Sequence, residues 1–501
     1  KKNKRKKLLT MTGSKMQEKE IDVVLFIPNS RWYGKRPWIL IPNSALILTG
    51  LFKGHFSFSI IDANISDASE EEALSAIAAA KPNVFLVSGI SVEYHSHYHR
   101  AFSLAKIAAP NTITVFGGIY PTLLPQEALS DQNIDYVFKG PAEDGRAVQF
   151  IQLLLDGDHK TVRKLPGIGF HGGPECSQIN PIDKHLANLK NAPEPDYSMI
   201  DVQSYLNAQS SDYNIGFNHP TGVLLTSYGC RYNCVFCAAR TIRGKGVIYR
   251  TAQNVIKEMA WLIEEYEITH FSFLDELFLG DRKRAVEILK FMIARKEHLT
   301  WKMPNVSAWH LDDDLLELMK KAGCRSISVS VESGSERVLH KIIRKPLKLN
   351  IFPGIVKKCN ELGIDIIANF VIGLPGETWQ EIRQTFQKAE EFNFDMCSFH
   401  IATPYPGTDL YKIALEQELL TEGFSFKSPE YFGTSRGFIT TDEFSPFELM
   451  ILRAFEWDRI NFKTEEKTRK IARIMNMSIA TLNEHRKQTR LKCGVHHPGI
   501  K

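Results

Sequence analysis

The segment Ser227-Tyr-Gly-Cys230-Arg-Tyr-Asn-Cys234-Val-Phe-Cys237 places three of the chain's eight cysteines within eight positions. Thiolates so spaced in one short loop can wrap a single metal centre. A zinc site normally takes four protein ligands, commonly from paired Cys-x-x-Cys knuckles. No second knuckle occurs in the chain, so zinc would need its fourth ligand from a distant residue. Three cysteines suit a [4Fe–4S] cube better, since they hold three irons and leave the fourth open to a substrate. Cys176, Cys324, Cys359, Cys397 and Cys493 are scattered. That usage argues against a disulfide framework and for a reducing cytosol with one metal site.

Around this loop, between residues 220 and 402, strand and helix patterns alternate six times. Strands are expected at Gly222–Ser227, His270–Leu274, Met303–Ser307, Ser326–Val331, Asp365–Ile372 and Met396–Ala402. Helices are expected at Ala252–Tyr266, Arg282–Arg295, Asp312–Lys321, Glu336–Ile343, Ile351–Glu361 and Trp379–Phe392. Six such units make a partial (β/α)6 barrel, whose chemistry belongs at the carboxyl ends of the strands. Beyond about residue 410 the chain reads as helical, with amphipathic stretches at Phe447–Asn461 and Glu465–Met475.

Upstream, apolar runs at Asp22–Ile27, Phe56–Asp62, Val84–Ser88, Thr112–Phe116 and Ile134–Phe138 alternate with helical patterns. This predicts an α/β domain built on a doubly wound parallel sheet of the flavodoxin or Rossmann kind. Ligands of such sheets sit outside the carboxyl ends of the strands. Those ends carry Asn29-Ser30, Ser88-Gly89-Ile90-Ser91, Gly117-Gly118 and Gly140-Pro141. Each glycine alone is an ordinary tight turn, but four such loops on one edge point to a site where backbone approaches a flat or phosphate-bearing ligand. The expected organisation is a basic tail at 1–19, this domain at 20–160, a hairpin and linker at 161–215, the barrel at 216–410 and a helical region at 411–501.

At 501 residues the chain is too long for one core. Its net charge of +5 comes largely from KKNKRKK at the start, with five Lys and one Arg. Without that tail the balance is near neutral, so charge does not imply nucleic acid. The tail reads as a solvated end, with a weak hold on an anionic membrane as the alternative. No apolar run of signal-peptide type follows it. The run Ile364–Leu374, interrupted by Asp365, Asn369 and Gly373, is too short to span a bilayer and reads as a buried strand.

Cys-x-x-x-Cys-x-aromatic-Cys after a first strand, followed by six βα units, resembles the radical S-adenosylmethionine (SAM) superfamily. The resemblance implies that the amino and carboxylate groups of SAM chelate the open iron. Electron transfer from the cluster then releases a 5′-deoxyadenosyl radical. It places Phe236 beside the adenine and Asp275-Glu276 at the substrate ammonium, where carboxylates make physical sense. A helix N-cap is the other reading of Asp275. Val331-Glu332-Ser333-Gly334-Ser335 is similar to the family's fourth-strand segment, where a polar side chain such as Glu332 reaches the ribose or the methionine carboxylate. Ile372-Gly-Leu-Pro-Gly-Glu377 and Thr403-Pro-Tyr-Pro-Gly-Thr408 resemble its fifth and sixth strand ends. Ser307 and Asn369 complete the implied SAM-binding set.

A flavodoxin-like sheet ahead of such a barrel resembles the cobalamin-dependent branch of the superfamily. Gly117-Gly118-Ile-Tyr-Pro121 and Lys139-Gly140-Pro-Ala-Glu143 look like its fourth and fifth loops. The implied cobalamin contacts are Asn29, Arg31, Ser88, Ser91, Gly117, Gly118, Gly140 and Glu143. Many such domains carry Asp-x-His-x-x-Gly after the first strand. Here the same spacing reads Asn29-Ser-Arg31-Trp-Tyr-Gly34, with no histidine. Either cobalamin is bound with neither base nor histidine below cobalt, or the domain has lost it. Arg31 or Trp32 is placed to cover that face or to lie on the surface. His95, His97 and His99 read as a solvated helix start rather than as ligands.

The resemblance implies an oxygen-sensitive cytoplasmic enzyme with three cofactors: a [4Fe–4S] cluster, SAM and cobalamin. Its expected chemistry is methyl transfer to an unactivated carbon or to phosphinate phosphorus of a small molecule or lipid, fed by a reductant such as flavodoxin or ferredoxin. The alternatives are a non-methylating cyclisation, rearrangement or lipid or tetrapyrrole modification, and a cobalamin-dependent sensor. A sensor would leave the three-cysteine loop without a task.

Overall fold

The computed structural model describes residues 21–35, 37–142, 145–173, 176–182, 194–208, 220–428, 431, 433 and 435–493. The basic tail, most of the linker and Glu143 lie outside them. The amino-terminal sheet contains β1 (Val23–Ile27), β2 (Phe58–Asp62), β3 (Val84–Gly89), β4 (Ile113–Gly118), β5 (Tyr136–Phe138), β6 (Ile168–Gly173) and β7 (Cys176–Ile179). Their order is β2-β1-β3-β4-β5-β6-β7, parallel through β5 and antiparallel thereafter. The central strands are apolar on both faces, as a sheet covered twice requires. Glu70–Ala80 and His95–Ala108 cover one face; Asn43–Phe52 and Arg146–Leu155 cover the other. The hairpin expected to follow this domain is part of its sheet. β6 pairs with β5, which would otherwise expose a row of unpaired backbone groups at the edge.

The second sheet is β8 (Thr221–Leu224), β11 (His270–Phe273), β12 (Thr300–Val306), β13 (Cys324–Glu332), β14 (Asp365–Ile372) and β15 (Met396–Ile401), all parallel and adjacent in that order. This is the expected partial barrel. Its outer face packs against helices that include Ala252–Tyr266 and Trp379–Phe392, the latter with a Thr378/Glu381 capping box. Two expectations change. The first strand stops at Leu224 and restarts as β9 (Ser227–Tyr228), paired with β10 (Ile248–Tyr249), because the Thr226 N–H donates to the Asp275 carboxylate rather than to a neighbouring strand. The helix expected at Glu336–Ile343 is a π-helical turn over Val338–Ile343, closed by Arg344 in the left-handed region.

A partial barrel leaves β15 with a bare edge, and the carboxyl-terminal helices cover it. Asn461, fully buried in Pro446–Asn461, accepts the Cys397 N–H at 2.8 Å and donates to the Cys397 carbonyl at 2.8 Å. Arg453 donates to the Phe399 carbonyl at 2.6 Å. Glu465–Ile474 and a further helix, Ile479–Leu491, close the barrel base through Ile471, Ile474 and Leu482 against Ile367 and Met396. No helix among the described residues is long and apolar enough to cross a membrane.

Asn461→Ala strands both Cys397 backbone groups in the core, so thermal unfolding of the full chain should show a loss of about 3 kcal/mol. An unchanged melting temperature would mean that the barrel edge does not depend on this side chain.

Candidate functional site

Gly229 turns the chain out of β9 at φ +84°, where an added Cβ would lie 2.7 Å from the Gly246 carbonyl. The cysteine loop that follows is fixed at the barrel mouth by buried Val235. Its N–H donates to the Ile343 carbonyl at 3.0 Å, and its carbonyl accepts the Leu410 N–H at 2.8 Å. Cys230 and Cys234 are half-buried and Cys237 is exposed. Burial raises the thiol pKa values of Cys230 and Cys234, that of Cys234 to about 12, with the neighbouring thiols and Glu332 adding to it and Lys345 opposing. Binding iron as thiolates therefore releases protons. Among the described residues no three metal-binding side chains converge on one ion position. A cube does not require that, since each cysteine takes a different corner iron.

Asp275 and Glu276, paired in the sequence reading, have separate tasks. Asp275 is fully buried and spent. Its Oδ1 accepts from the hydroxyls of Thr226 at 2.7 Å and Ser227 at 2.5 Å, and both oxygens lie 3.2 Å from the Thr226 N–H. Arg284 completes the cluster by donating to the Thr226 carbonyl at 2.9 Å. The expectation that Asp275 meets an ammonium group is corrected, and so is the N-cap reading, since Asp281 caps the following helix. Glu276 is the available carboxylate. Its Oε2 is buried without a hydrogen-bond partner, and the carboxylate is near enough to Cys230 and Cys237 to raise their thiol pKa values. Burial pushes its pKa up while Arg243 pulls it down. A buried carboxylate oxygen in this state is stabilised by an incoming cation, which fits the SAM ammonium.

Glu332 ends β13 at φ +69° and is committed to Lys345, with Oε1 2.8 Å from Nζ and both side chains buried. Lys345 also donates to the Ser330 carbonyl at 2.7 Å and lies over the Trp309 ring. Ser330 donates to Asn305 at 3.2 Å, Asn369 lies beside Ser330 in the ladder and Ser398 beside Asn369, so polar groups run across the mouth. Ser307 is half-buried just after β12, and Phe236 is half-buried against the barrel core.

At the carboxyl edge of the amino-terminal sheet lies a cleft of about 930 Å³, including its open mouth. Ser88, Gly117, Gly118 and Gly140 line it, and its depth is apolar, with Phe52, Leu86, Val115 and Phe150 among the wall residues. Gly118 stands at φ +96°, where a Cβ would meet the Gly89 carbonyl at 2.6 Å. A flat aromatic or corrin-like ligand fits such a wall.

Asn29, Arg31 and Ser91 lie off this lining. Asn29 and Arg31 pin the loop after β1 to the segment after β2, donating to Asp67 at 2.9 and 2.6 Å respectively. Trp32 is buried, with Nε1 donating to the Ala68 carbonyl. Ser91 Oγ accepts the Glu93 N–H. These polar atoms are consumed in holding the loop. The histidines are not a solvated helix start either. His97 is 1% exposed, 2.7 Å from the Trp32 carbonyl, and His99 bridges Asp131 and Tyr120. Burial and nearby cations lower the His95 pKa to about 4. Two site residues escaped the sequence reading, Lys345 and Arg243. Neither lies in a motif, and only packing brings them to the chambers.

Residues 224–389 match the Radical SAM superfamily, and residues 34–148 match the B12 binding domain family. Cytidylyl-2-hydroxyethylphosphonate methyltransferase of Streptomyces wedmorensis is 28% identical over 375 residues, 70% of each chain. An uncharacterized methyltransferase of Pyrococcus horikoshii is 29% identical over 386 residues, covering 76% of this chain and 79% of its own. Among solved structures, the radical SAM methyltransferase TsrM of Kitasatospora setae, with cobalamin and a [4Fe–4S] cluster bound, aligns with a TM-score of 0.70 at 16% identity. The alignment covers 95% of this chain and 99% of that one.

Two outcomes follow from the carboxylates. Glu276→Gln should retain iron but weaken SAM binding about 10- to 100-fold, measured by equilibrium binding to the reconstituted protein; unchanged affinity would remove Glu276 from the site. Glu377, 1% exposed, accepts the N–H groups of Gly373 and Leu374, and burial raises its pKa from 4.5 to about 8. The folded state keeps a proton that the unfolded chain releases, so its stabilising share is full below the ordinary carboxylate range and fades as pH rises to about 8. Denaturant unfolding of Glu377→Gln should therefore show a flatter stability profile across that range than the parent. An identical profile would contradict the assignment.

Proposed function

We propose that this chain, which carries a B12-binding domain followed by a radical SAM domain, is a cobalamin-dependent radical SAM methyltransferase acting on a small molecule. When bound, the cluster supplies an electron that converts SAM to a 5′-deoxyadenosyl radical, and cobalamin supplies the methyl group. The protein's part is to hold these groups face to face. Cys230, Cys234 and Cys237 present three thiolates from a loop whose root is clamped by Asp275. Glu276 offers a buried carboxylate to the SAM ammonium. The Glu332–Lys345 pair sets the charge beside Cys234, and Asn305, Ser330 and Asn369 offer polar contacts across the mouth. Ser88, Gly117, Gly118 and Gly140 shape the wall that receives the corrinoid.

The observation that carries this reading is the adjacency of the two chambers. Arg243 lines the amino-terminal cleft while its charge acts on Glu276 in the barrel. The carboxyl-terminal segment closes the same junction. At the sixth strand end a Cβ on Gly407 would lie 2.8 Å from the Leu123 side chain of the amino-terminal domain, and beyond it Lys427 pairs with Glu127 of the same domain. Tyr405 lies within electrostatic reach of Glu93 of that domain. A low-potential carrier of the flavodoxin or ferredoxin kind supplies the electron.

The test is anaerobic turnover of the holoenzyme with SAM and a panel of candidate small molecules, followed by mass spectrometry. The reading expects 5′-deoxyadenosine and S-adenosylhomocysteine in comparable amounts, with a product heavier by one methyl group. Deoxyadenosine with a product of unchanged carbon count would contradict it in favour of a non-methylating cyclisation or rearrangement.

A further inference from the structure

Lys345 is a buried ammonium whose segment is tied to the cysteine loop. Its Nζ lies 2.8 Å from Glu332 Oε1 and 2.7 Å from the Ser330 carbonyl, and stands over the Trp309 ring at 5.6 Å. Trp309 in turn grips the loop itself. Its Nε1 donates to the Tyr232 hydroxyl at 2.8 Å, and the two rings meet edge to face with centres 5.0 Å apart. Tyr232 lies between Cys230 and Cys234. A second contact comes from Ile343, two residues before Lys345, whose carbonyl accepts the N–H of Val235, the residue after Cys234.

The side chains of Lys345 and Glu332 are only 6% and 10% exposed, so solvent and salt screen them little. To a third charge at unequal distances from its ends, a buried ion pair is a dipole rather than a neutral object. Here the ends are unequal. The Lys345 charge acts on Cys230 and Cys234, and at Cys234 it outweighs that of Glu332. Glu332 acts on Cys237 as well. Reduction adds one electron to a cluster that already bears three thiolates, and the net charge around a cluster is one of the quantities that set its potential. We propose that the buried ammonium of Lys345 raises the reduction potential of the cluster, with Glu332 holding it in place and offsetting it in part. The low-potential carrier is oxidised by one electron, the cluster is reduced by one, and no proton moves. The inference rests on the cluster reading of the cysteine loop.

The test is a redox titration of the reconstituted full-length protein without SAM, read by electron paramagnetic resonance of the reduced cluster. Lys345→Met should lower the ratio of reduced to oxidised cluster at a fixed potential about tenfold, a shift of about 59 mV to lower potential for one electron. Glu332→Gln should shift the potential the opposite way, and Lys345→Arg should stay near the parent. The double variant carrying Lys345→Met and Glu332→Gln leaves no unpaired charge in the core. It should still lie below the parent, and an iron content of about four per chain shows that its cluster is assembled. A double variant at or above the parent potential would mean that the Lys345 charge does not prevail, and an unshifted Lys345→Met would remove it from the redox chemistry. Either result would overturn the proposal. A parent protein that takes up no iron would overturn the cluster reading itself, and with it this inference.

Discussion

The buried carboxylate of Asp275 is the constraint on which the barrel mouth depends. By accepting the Thr226 N–H and the hydroxyls of Thr226 and Ser227, it ends the first barrel strand and turns the backbone toward the cysteines. Arg284 offsets its charge and satisfies the Thr226 carbonyl. A charged group this deep is tolerable only with such complete pairing. The clamp also has a positional consequence. Adjacent residues leaving a strand point to opposite sides, so committing Asp275 inward turns Glu276 toward the chamber.

The two domains meet through side chains rather than through a shared sheet. Arg243 reaches from the barrel to the cleft, and Tyr205 donates to Asp62 at the end of β2 at 2.7 Å. The carboxyl-terminal helices contribute differently. Asn461 and Arg453 satisfy the free edge of β15, and Lys470 and Arg473 pair with Asp395 and Asp365 at the amino ends of the last strands. An open six-stranded sheet so covered keeps its carboxyl ends free for chemistry.

Much of the fold was legible in the sequence, because strands buried on both faces and amphipathic helices leave periodic signals. The apolar run of β14 and the helices Ala252–Tyr266 and Trp379–Phe392 lie where those signals place them. The helix Ile479–Leu491 lies in the region expected to be helical, but its bounds were not legible because it is mostly polar and buries only Leu482. The cysteine loop was legible because three thiols at short spacing have few structural uses. The division of labour between Asp275 and Glu276 was not, since it depends on Thr226 and Ser227, nearly fifty residues upstream. His97 likewise resembles a surface residue in sequence, and it is buried only because Trp32, Tyr33 and Tyr94 fold around it. Arg243 has no motif and acquires its place only through the meeting of two domains.

The central claim is that one chain holds a cluster and a corrinoid in adjoining chambers. Protein purified without oxygen and supplied with cobalamin should contain about four irons and one corrinoid per chain. Cys234→Ala should lose the iron and keep the corrinoid, as expected for two separate sites. Iron without corrinoid would contradict the account, leaving the amino-terminal cleft as a site for something other than cobalamin.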